Sequence, residues 1–400
     1  MIVGVVKETY PGERRVALVP GVVPSLVKAG MEVAVEAGAG DQAGFRDSAY
    51  QEKGATTIGQ RQEVFAAADV ICQVRALGAN PQVGRADLDL FRRDQVVIGF
   101  TEPLIAAEPI EALAERGVTL FAMELMPRIA RAQSMDALSS QATVQGYKAV
   151  LLATEVLPRM FPMMMTAAGT VAPAKVLIIG AGVAGLQAIA TARKLGGVVV
   201  AYDIRPIVKE QVESLGARFL QISLEAQGAQ DKGGYAKAMD DEFYRKQREL
   251  MTQAVAQSDV VITTAAVPGK KSPVLVTGEM VAGMAPGSVV VDLAAAYGGN
   301  CELTRADETV VEHGVTILGP TNLPSTVPYH ASQMYAKNIS TFLLHLVKDG
   351  RLVVDMEDEI TEQTLLTRGG EIVHQRVRKL LDLDAGTASA AAASGQGSST

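Results

Sequence analysis

Short aliphatic runs recur along this chain, each closed by a polar or glycine-bearing turn and followed by residues with helical spacing. The first run is Ile2 to Val6. After it come a polar turn at Pro11-Gly12, a helix near Pro20 to Ala29 ended by Gly30, and a strand from Glu32 to Glu36 that runs into Gly38 and Gly40. Further runs at Val70 to Val74, Gln95 to Phe100 and Val118 to Ala122 have helical stretches between them. Strands that alternate with helices predict a parallel sheet covered on both faces. A long helical stretch, about Ala137 to Leu157, precedes a second set: Lys175 to Ile179, Val198 to Tyr202, Val260 to Thr264, Val289 to Leu293 and Val315 to Leu318. These are rich in Val and Ile and apolar on both sides, the pattern of a buried parallel sheet. After Gly319-Pro320, a helix at about Ala331 to Asp349 is expected to return the chain to the first domain.

Two stretches break the pattern. Between Gln221 and Glu249 lies the polar, glycine-rich segment Gln227 to Tyr235, either a functional lid or a passive surface insertion. Residues 385–400 are Ala, Ser, Gly, Thr and Gln, with too little apolar bulk to pack, and read as a disordered tail. The uncharged run Val176 to Ala192 is too short to span a bilayer, and the N-terminus reads as a strand, not a signal peptide. No direct membrane insertion is expected. At 400 residues, net charge −7 and no block of Lys and Arg, the chain is a multi-domain globular protein and a poor partner for nucleic acid. Its two cysteines, Cys72 and Cys301, are far apart and in no CxxC, which excludes a disulfide framework and fits a reducing compartment. No metal site is expected.

The strongest motif is Gly180-Ala181-Gly182-Val183-Ala184-Gly185, directly after an apolar strand and at the head of an amphipathic helix. In that context the glycines have separate tasks: Gly180 for the tight turn, Gly182 for close approach of backbone N–H groups to a pyrophosphate, Gly185 for helix–strand packing. The helix N-terminus adds its dipole and unpaired donors. Asp203 ends the second strand, placed to accept from both ribose hydroxyls, where a 2′-phosphate would meet like charge. The cofactor is therefore NAD(H) rather than NADP(H). Arg205, two positions on, is open to two roles: it would suit a 2′-phosphate, or stack on adenine. The fold class is α/β, two Rossmann-like domains with parallel sheets separated by a cleft. The nucleotide domain is expected at 140–326, and the other at 1–139 joined by 327–384.

A polar stretch, Pro127-Arg128-Ile129-Ala130-Arg131-Ala132-Gln133-Ser134-Met135-Asp136-Ala137-Leu138-Ser139-Ser140, precedes the long helix. Helix capping by Asp136 or Ser134 accounts for one of its polar groups and leaves Arg128 and Gln133 unexplained. This stretch resembles the NAD(H)-binding component of proton-translocating transhydrogenases. So do the glycine fingerprint, Asp203-Ile204-Arg205-Pro206, Gly233 to Met239, Val291 to Ala295 and Gly298 to Glu302. The resemblance covers nearly all of the chain up to about Asp384. It implies that NADH bound here passes hydride to NADP⁺ on a partner NADP(H)-binding subunit, coupled to proton movement through a membrane subunit. It also implies a homodimer, cytoplasmic and held to the inner face of the membrane by its partners. Arg128, Gln133 and Asp136, with Ser139, are then the groups that hold the nicotinamide ribose and carboxamide. Tyr235 and Met239 sit on a loop closing over the nucleotide, and Val183 and Ala265 complete the cofactor contacts. Direct hydride transfer needs no nucleophile or general base, only two rings in near-attack geometry with water excluded.

Alanine dehydrogenase is the alternative within the same resemblance. Lys7-Glu8 and Arg14-Arg15-Val16-Ala17-Leu18 are shared with it, and Arg15 matches its substrate-carboxylate arginine. Leu104 stands where its proton-transferring histidine would align, and Arg75 where its lysine would. Leucine cannot transfer a proton and arginine stays protonated. His313, His330, His345 and His374 lie elsewhere, and Asp292 matches an acidic residue used by that enzyme. A nucleotide-binding regulator without chemistry is a further alternative that the fold alone would allow. Among smaller signals, Met160 and Met163 to Met165 read as core or hinge packing, His330 as a cap or surface residue, and Cys301 as a small buried residue.

Overall fold

The computed structural model describes residues 1–221, 241–267, 269–348 and 350–381. In chain order the strands are β1 (Ile2–Val5), β2 (Glu32–Glu36), β3 (Thr56–Ile58), β4 (Val70–Arg75), β5 (Val96–Phe100) and β6 (Thr119–Ala122). A hairpin follows, β7 (Met164–Thr166) and β8 (Gly169–Val171), then β9 (Lys175–Ile179), β10 (Val198–Tyr202), β11 (Arg218–Leu220), β12 (Val260–Thr263), β13 (Val289–Asp292), β14 (Thr309–Glu312) and β15 (Val315–Leu318). The last are β16 (Val347–Lys348), β17 (Arg351–Leu352), β18 (Leu365–Arg368) and β19 (Glu371–Ile372). The described residues divide into two compact units, one of those in Met1–Gln141 and from Ser325 on, the other of those in Ala142–Pro324.

In the first unit the sheet order is β19-β18-β6-β5-β4-β1-β2-β3. In the second it is β11-β10-β9-β12-β13-β15-β14. Among the described residues, each contains six parallel strands in the doubly wound order, third-second-first-fourth-fifth-sixth, and each turns back beside its first strand. Successive side chains of a strand point to opposite faces. So Val176 and Ile178 of β9 join one core while Leu177 and Ile179 join another, and Val70, Cys72 and Val74 of β4 separate likewise from Ile71. Burial on both faces is why these strands read as unbroken apolar runs, each fully buried Val or Ile contributing about 1.5–3 kcal/mol.

The sequence misses the antiparallel edges. β14 pairs with β15 through a two-residue turn, His313-Gly314, both at positive φ, and β18 adds antiparallel to β6. Both residues of that turn take the left-handed conformation typical of tight hairpins. The methionines are also misread. Met160 and Met163 to Met165 are exposed, Met165 by 78%, and Met164 and Met165 form β7 of a hairpin that joins neither large sheet. The reason is local: Met163 to Val171 is long enough for a two-stranded ribbon, and the ribbon is exposed along its length. No helix among the described residues is long and apolar enough to cross a membrane.

Candidate functional site

The turn after β9 shows why its glycines stand where they do. Gly180 has φ +98°, and a Cβ there would lie 2.5 Å from Thr264 Oγ1. A Cβ on Gly185 would lie 1.8 Å from the carbonyl oxygen of Gly180, so the helix Val183–Lys194 packs against the turn with no room for a methyl group. Gly182 is different: a Cβ there would meet nothing within 4 Å. Close packing explains two glycines and leaves the third with open space at the head of a helix, a place suited to a phosphate. Val183, the first residue of that helix, is exposed. Gly146 was not singled out from the sequence. A Cβ there would meet the Ala184 carbonyl oxygen at 2.0 Å, so it lets Ala137–Val156 press on the first turn of the helix Val183–Lys194. A glycine inside a strong helical pattern was the signal available.

Asp203, just beyond β10, is mostly buried, and its carboxylate accepts the Ala181 N–H at 2.7 Å. It also holds the Arg205 guanidinium, Nε at 2.9 Å and Nη2 at 2.8 Å. Ala265 follows β12. Its N–H donates to Asn300 Oδ1 at 2.9 Å, and its carbonyl accepts Asn300 Nδ2 at 2.8 Å. Thr264 donates its hydroxyl to the Gly180 carbonyl. The fully buried Asn300 thus clamps the loop that lines the glycine turn, a role the sequence reading missed. Asp292 has a structural explanation. It is fully buried, and its carboxylate accepts from the Thr263 and Thr304 hydroxyls and the N–H groups of Ala294, Asn300 and Cys301. Five donors hold it as the knot of the Gly298–Cys301 turn. Cys301 is buried beside it. Tyr235 and Met239 lie outside the described residues.

In the first unit, the stretch from Arg128 to Ser139 is anchored from below and polar above. Ala132 and Met135 are buried, and the Ser134 carbonyl accepts Asn338 Nδ2 at 2.9 Å. Arg128, Gln133 and Ser134 are exposed. Asp136, rather than Ser134, caps the helix Ala137–Val156: its carboxylate accepts the Ser139 N–H at 2.9 Å and the Ser139 hydroxyl at 2.6 Å. Asp136 and Ser139 are therefore brought together, and Arg128 and Gln133 stand on the same short loop.

The switch point of this unit holds a charged cluster. Glu13 pairs through both oxygens with Arg15, at 2.7 Å to Nε and 2.7 Å to Nη2, and reaches Arg75 Nε at 3.1 Å. Arg15 Nη1 donates to Gln141 Oε1 at 2.8 Å, and the Arg75 guanidinium lies over the Tyr10 ring. Burial would push the Glu13 carboxyl up, but the Arg15 guanidinium outweighs it and holds the group well below the usual carboxylate range. Glu8 accepts the Val74 and Arg75 N–H groups, yet burial and then the Glu13 charge push it up to about 8. Glu124, beyond β6, accepts the Thr101 and Glu102 N–H groups and is pushed up to about 8 by burial and then Glu102. Of the histidines, His330 is exposed, His345 pairs with Asp358 at 3.0 Å, and His374 caps the helix Gln375–Leu380.

Two family models match: the alanine dehydrogenase/PNT N-terminal domain over residues 4–145 and the C-terminal domain over residues 149–375. The chain belongs to the alanine dehydrogenase/PNT family. Within it, the chain is 48% identical to a Rhodospirillum rubrum chain that forms the first portion of the NAD(P) transhydrogenase alpha subunit, over 94% of this chain and 98% of that one. It is 44% identical to the transhydrogenase alpha subunit of Cereibacter sphaeroides, over 93% of this chain and 71% of that one. A solved transhydrogenase from Sinorhizobium meliloti superposes with a TM-score of 0.83 at 47% identity, covering 93% of this chain and 100% of its own. Alanine dehydrogenase of Bacillus subtilis is more distant, at 30% identity over 95% of this chain and 94% of its own. The chain is a homologue of the transhydrogenase alpha subunit, and alanine dehydrogenase is its distant relative.

Set against this alanine dehydrogenase/PNT background, the first unit's cluster is informative. Arg75 is spent on Glu13 and Tyr10, and Leu104 packs partly buried against an apolar core. Neither offers a proton-transferring side chain at the positions where the dehydrogenase would need one.

Proposed function

We propose that this chain is the NAD(H)-binding component of a proton-translocating transhydrogenase, passing hydride to NADP⁺ on a partner subunit. The observation that carries it is the glycine turn, where only Gly182 keeps open space, beside the carboxylate of Asp203. The pyrophosphate takes the Gly180–Gly185 turn, with Val183 and Ala265 against the nucleotide, and Asp203 takes the adenosine ribose. Arg128, Gln133, Asp136 and Ser139 take the nicotinamide ribose and carboxamide. Amide, guanidinium and carboxylate groups can fix that end of the nucleotide by directed hydrogen bonds. Bound NAD(H) supplies the transferable hydride, so the protein's work is to hold, orient and keep water away.

The chain functions as a homodimer on the cytoplasmic face of the membrane, attached through an NADP(H)-binding subunit and a membrane subunit. The exposed, uncharged Met163 to Val171 hairpin supports an assembly of this kind, because an isolated two-stranded ribbon is marginally stable in water. Two measurements test the reading. Calorimetric titration is expected to give NADH binding at least ten-fold tighter than NADPH. Mixing with the partner subunit is expected to give hydride exchange between NADH and an NADP⁺ analogue. Rapid turnover of alanine with NAD⁺ would overturn it in favour of the dehydrogenase.

A further inference from the structure

Asp203 is already saturated. Oδ1 accepts the backbone N–H of Arg205 at 2.9 Å and its Nε at 2.9 Å. Oδ2 accepts the Ala181 N–H at 2.7 Å and Arg205 Nη2 at 2.8 Å. A carboxylate has about four acceptor positions, so none is spare. Two of the four donors are backbone groups, fixed by the turn after β10 and by the glycine turn. They aim the carboxylate whatever else binds. The other two belong to one guanidinium, which lays one N–H on each oxygen. A ribose with free 2′ and 3′ hydroxyls also brings two O–H donors, so guanidinium and ribose compete for the same pair of positions. The contest is not trivial, because the arginine side chain is only 17% and the aspartate 7% exposed. A desolvated, charge-assisted pair resists displacement more than a surface one.

We propose that Arg205 is an internal stand-in for the adenosine ribose and, through the same pairing, a phosphate-binding residue kept out of use. A ribose must displace the guanidinium from Asp203, which scales the apparent NADH affinity down to the fraction of time that the carboxylate is free. While Asp203 holds the guanidinium, no cation is offered to a 2′-phosphate, and the carboxylate itself repels one. The two residues thus settle together an assignment that each alone would push in opposite directions. The inference rests on the adenosine ribose lying at Asp203.

The test is calorimetric titration of NADH and NADPH into the whole chain and four variants: Arg205→Met, Arg205→Lys, Asp203→Ala, and Asp203→Ala with Arg205→Met, each checked by thermal melting. Arg205→Met is expected to bind NADH about three- to ten-fold tighter. Arg205→Lys, with charge but no fork, falls between it and the parent. Asp203→Ala is expected to lose at least ten-fold in NADH affinity and to gain NADPH binding, and the double variant loses that gain. If Asp203→Ala binds NADH like the parent, the ribose is not at Asp203 and the functional reading of this site fails. If Asp203→Ala weakens NADH but Arg205→Met fails to tighten it, the stand-in role alone is overturned. Equal NADPH binding by Asp203→Ala and the double variant overturns the latent phosphate role. Should Asp203→Ala not fold, Asp203→Asn replaces it with the same expectations.

Discussion

The two units share a strand order and put opposite things at the same place in it. In the second, β9 runs into Gly180, Ala181 and Gly182, and the absence of a Cβ at Gly182 leaves open space above the turn. In the first, the loop after β1 folds Glu13 and Arg15 against Arg75, so that charged side chains fill the corresponding position and satisfy one another. Both lie where the doubly wound order reverses, the place such sheets offer to ligands. Topology supplies the place; a few side chains decide whether it is left open or filled by the protein's own charges.

The sharpest way to break this contrast is to add a methyl group on each side of it. Gly185→Ala drives a Cβ into the Gly180 carbonyl oxygen and is expected to abolish NADH binding and cost about 3 kcal/mol or more of stability. Gly182→Ala meets no protein atom, so its melting temperature should stay within a few degrees of the parent while NADH affinity falls at least ten-fold. Melting curves and calorimetry read both. A Gly182→Ala variant that binds normally would end the distinction between packing glycine and binding glycine.

The matching change in the first unit is Arg15→Met. Removing one partner of a buried pair leaves the other's charge uncompensated, at a cost of about 3–5 kcal/mol. Hydrogen exchange is expected to place that loss on the amides of Val16 and Val74, with β9 and β10 keeping their protection. Loss of protection spread evenly over both units would show that the cluster is not a local knot.

The smallest effect is a slope. The Glu8 carboxyl, raised by burial and then Glu13, stays protonated in the folded chain up to about 8, whereas it ionises near its ordinary value when unfolded. Its contribution to stability is therefore complete below the unfolded value and is lost as pH rises towards 8. Glu8→Gln should remove up to ~1.4 kcal/mol per pH unit of that decline, read from denaturant unfolding at several pH values. An unchanged slope would remove Glu8 from the cluster's account.

The inner strands were legible because burial on both faces leaves a run such as Val289 to Val291 without alternation. The edges were not. β14 is largely exposed, with only Val310 partly sheltered, so no buried apolar run marks it, and its pairing depends on a positive φ at His313. Gly180 and Gly185 were legible because their spacing answers two separate backbone needs, a left-handed turn and a close helix contact. Asn300 was not, because its importance lies in facing Ala265 across the fold, and sequence separation hides a contact of that kind. The methionine hairpin failed for the opposite reason: apolar composition is taken for burial, and here it marks a surface.

The first unit is assembled from both ends of the chain. Tyr335, which donates its hydroxyl to the Gln73 carbonyl, and Thr367, which reaches the Val118 carbonyl, lie on segments that follow the whole second unit. During synthesis at about 5–20 residues per second, the roughly 180 intervening residues impose a delay on the order of 10–40 s. The second unit can be complete while the earlier strands still wait for the helix Pro328–Leu346 to cover them. In a growing chain, the half made first is the half finished last, and it is there that nascent-chain binding factors would find exposed sheet.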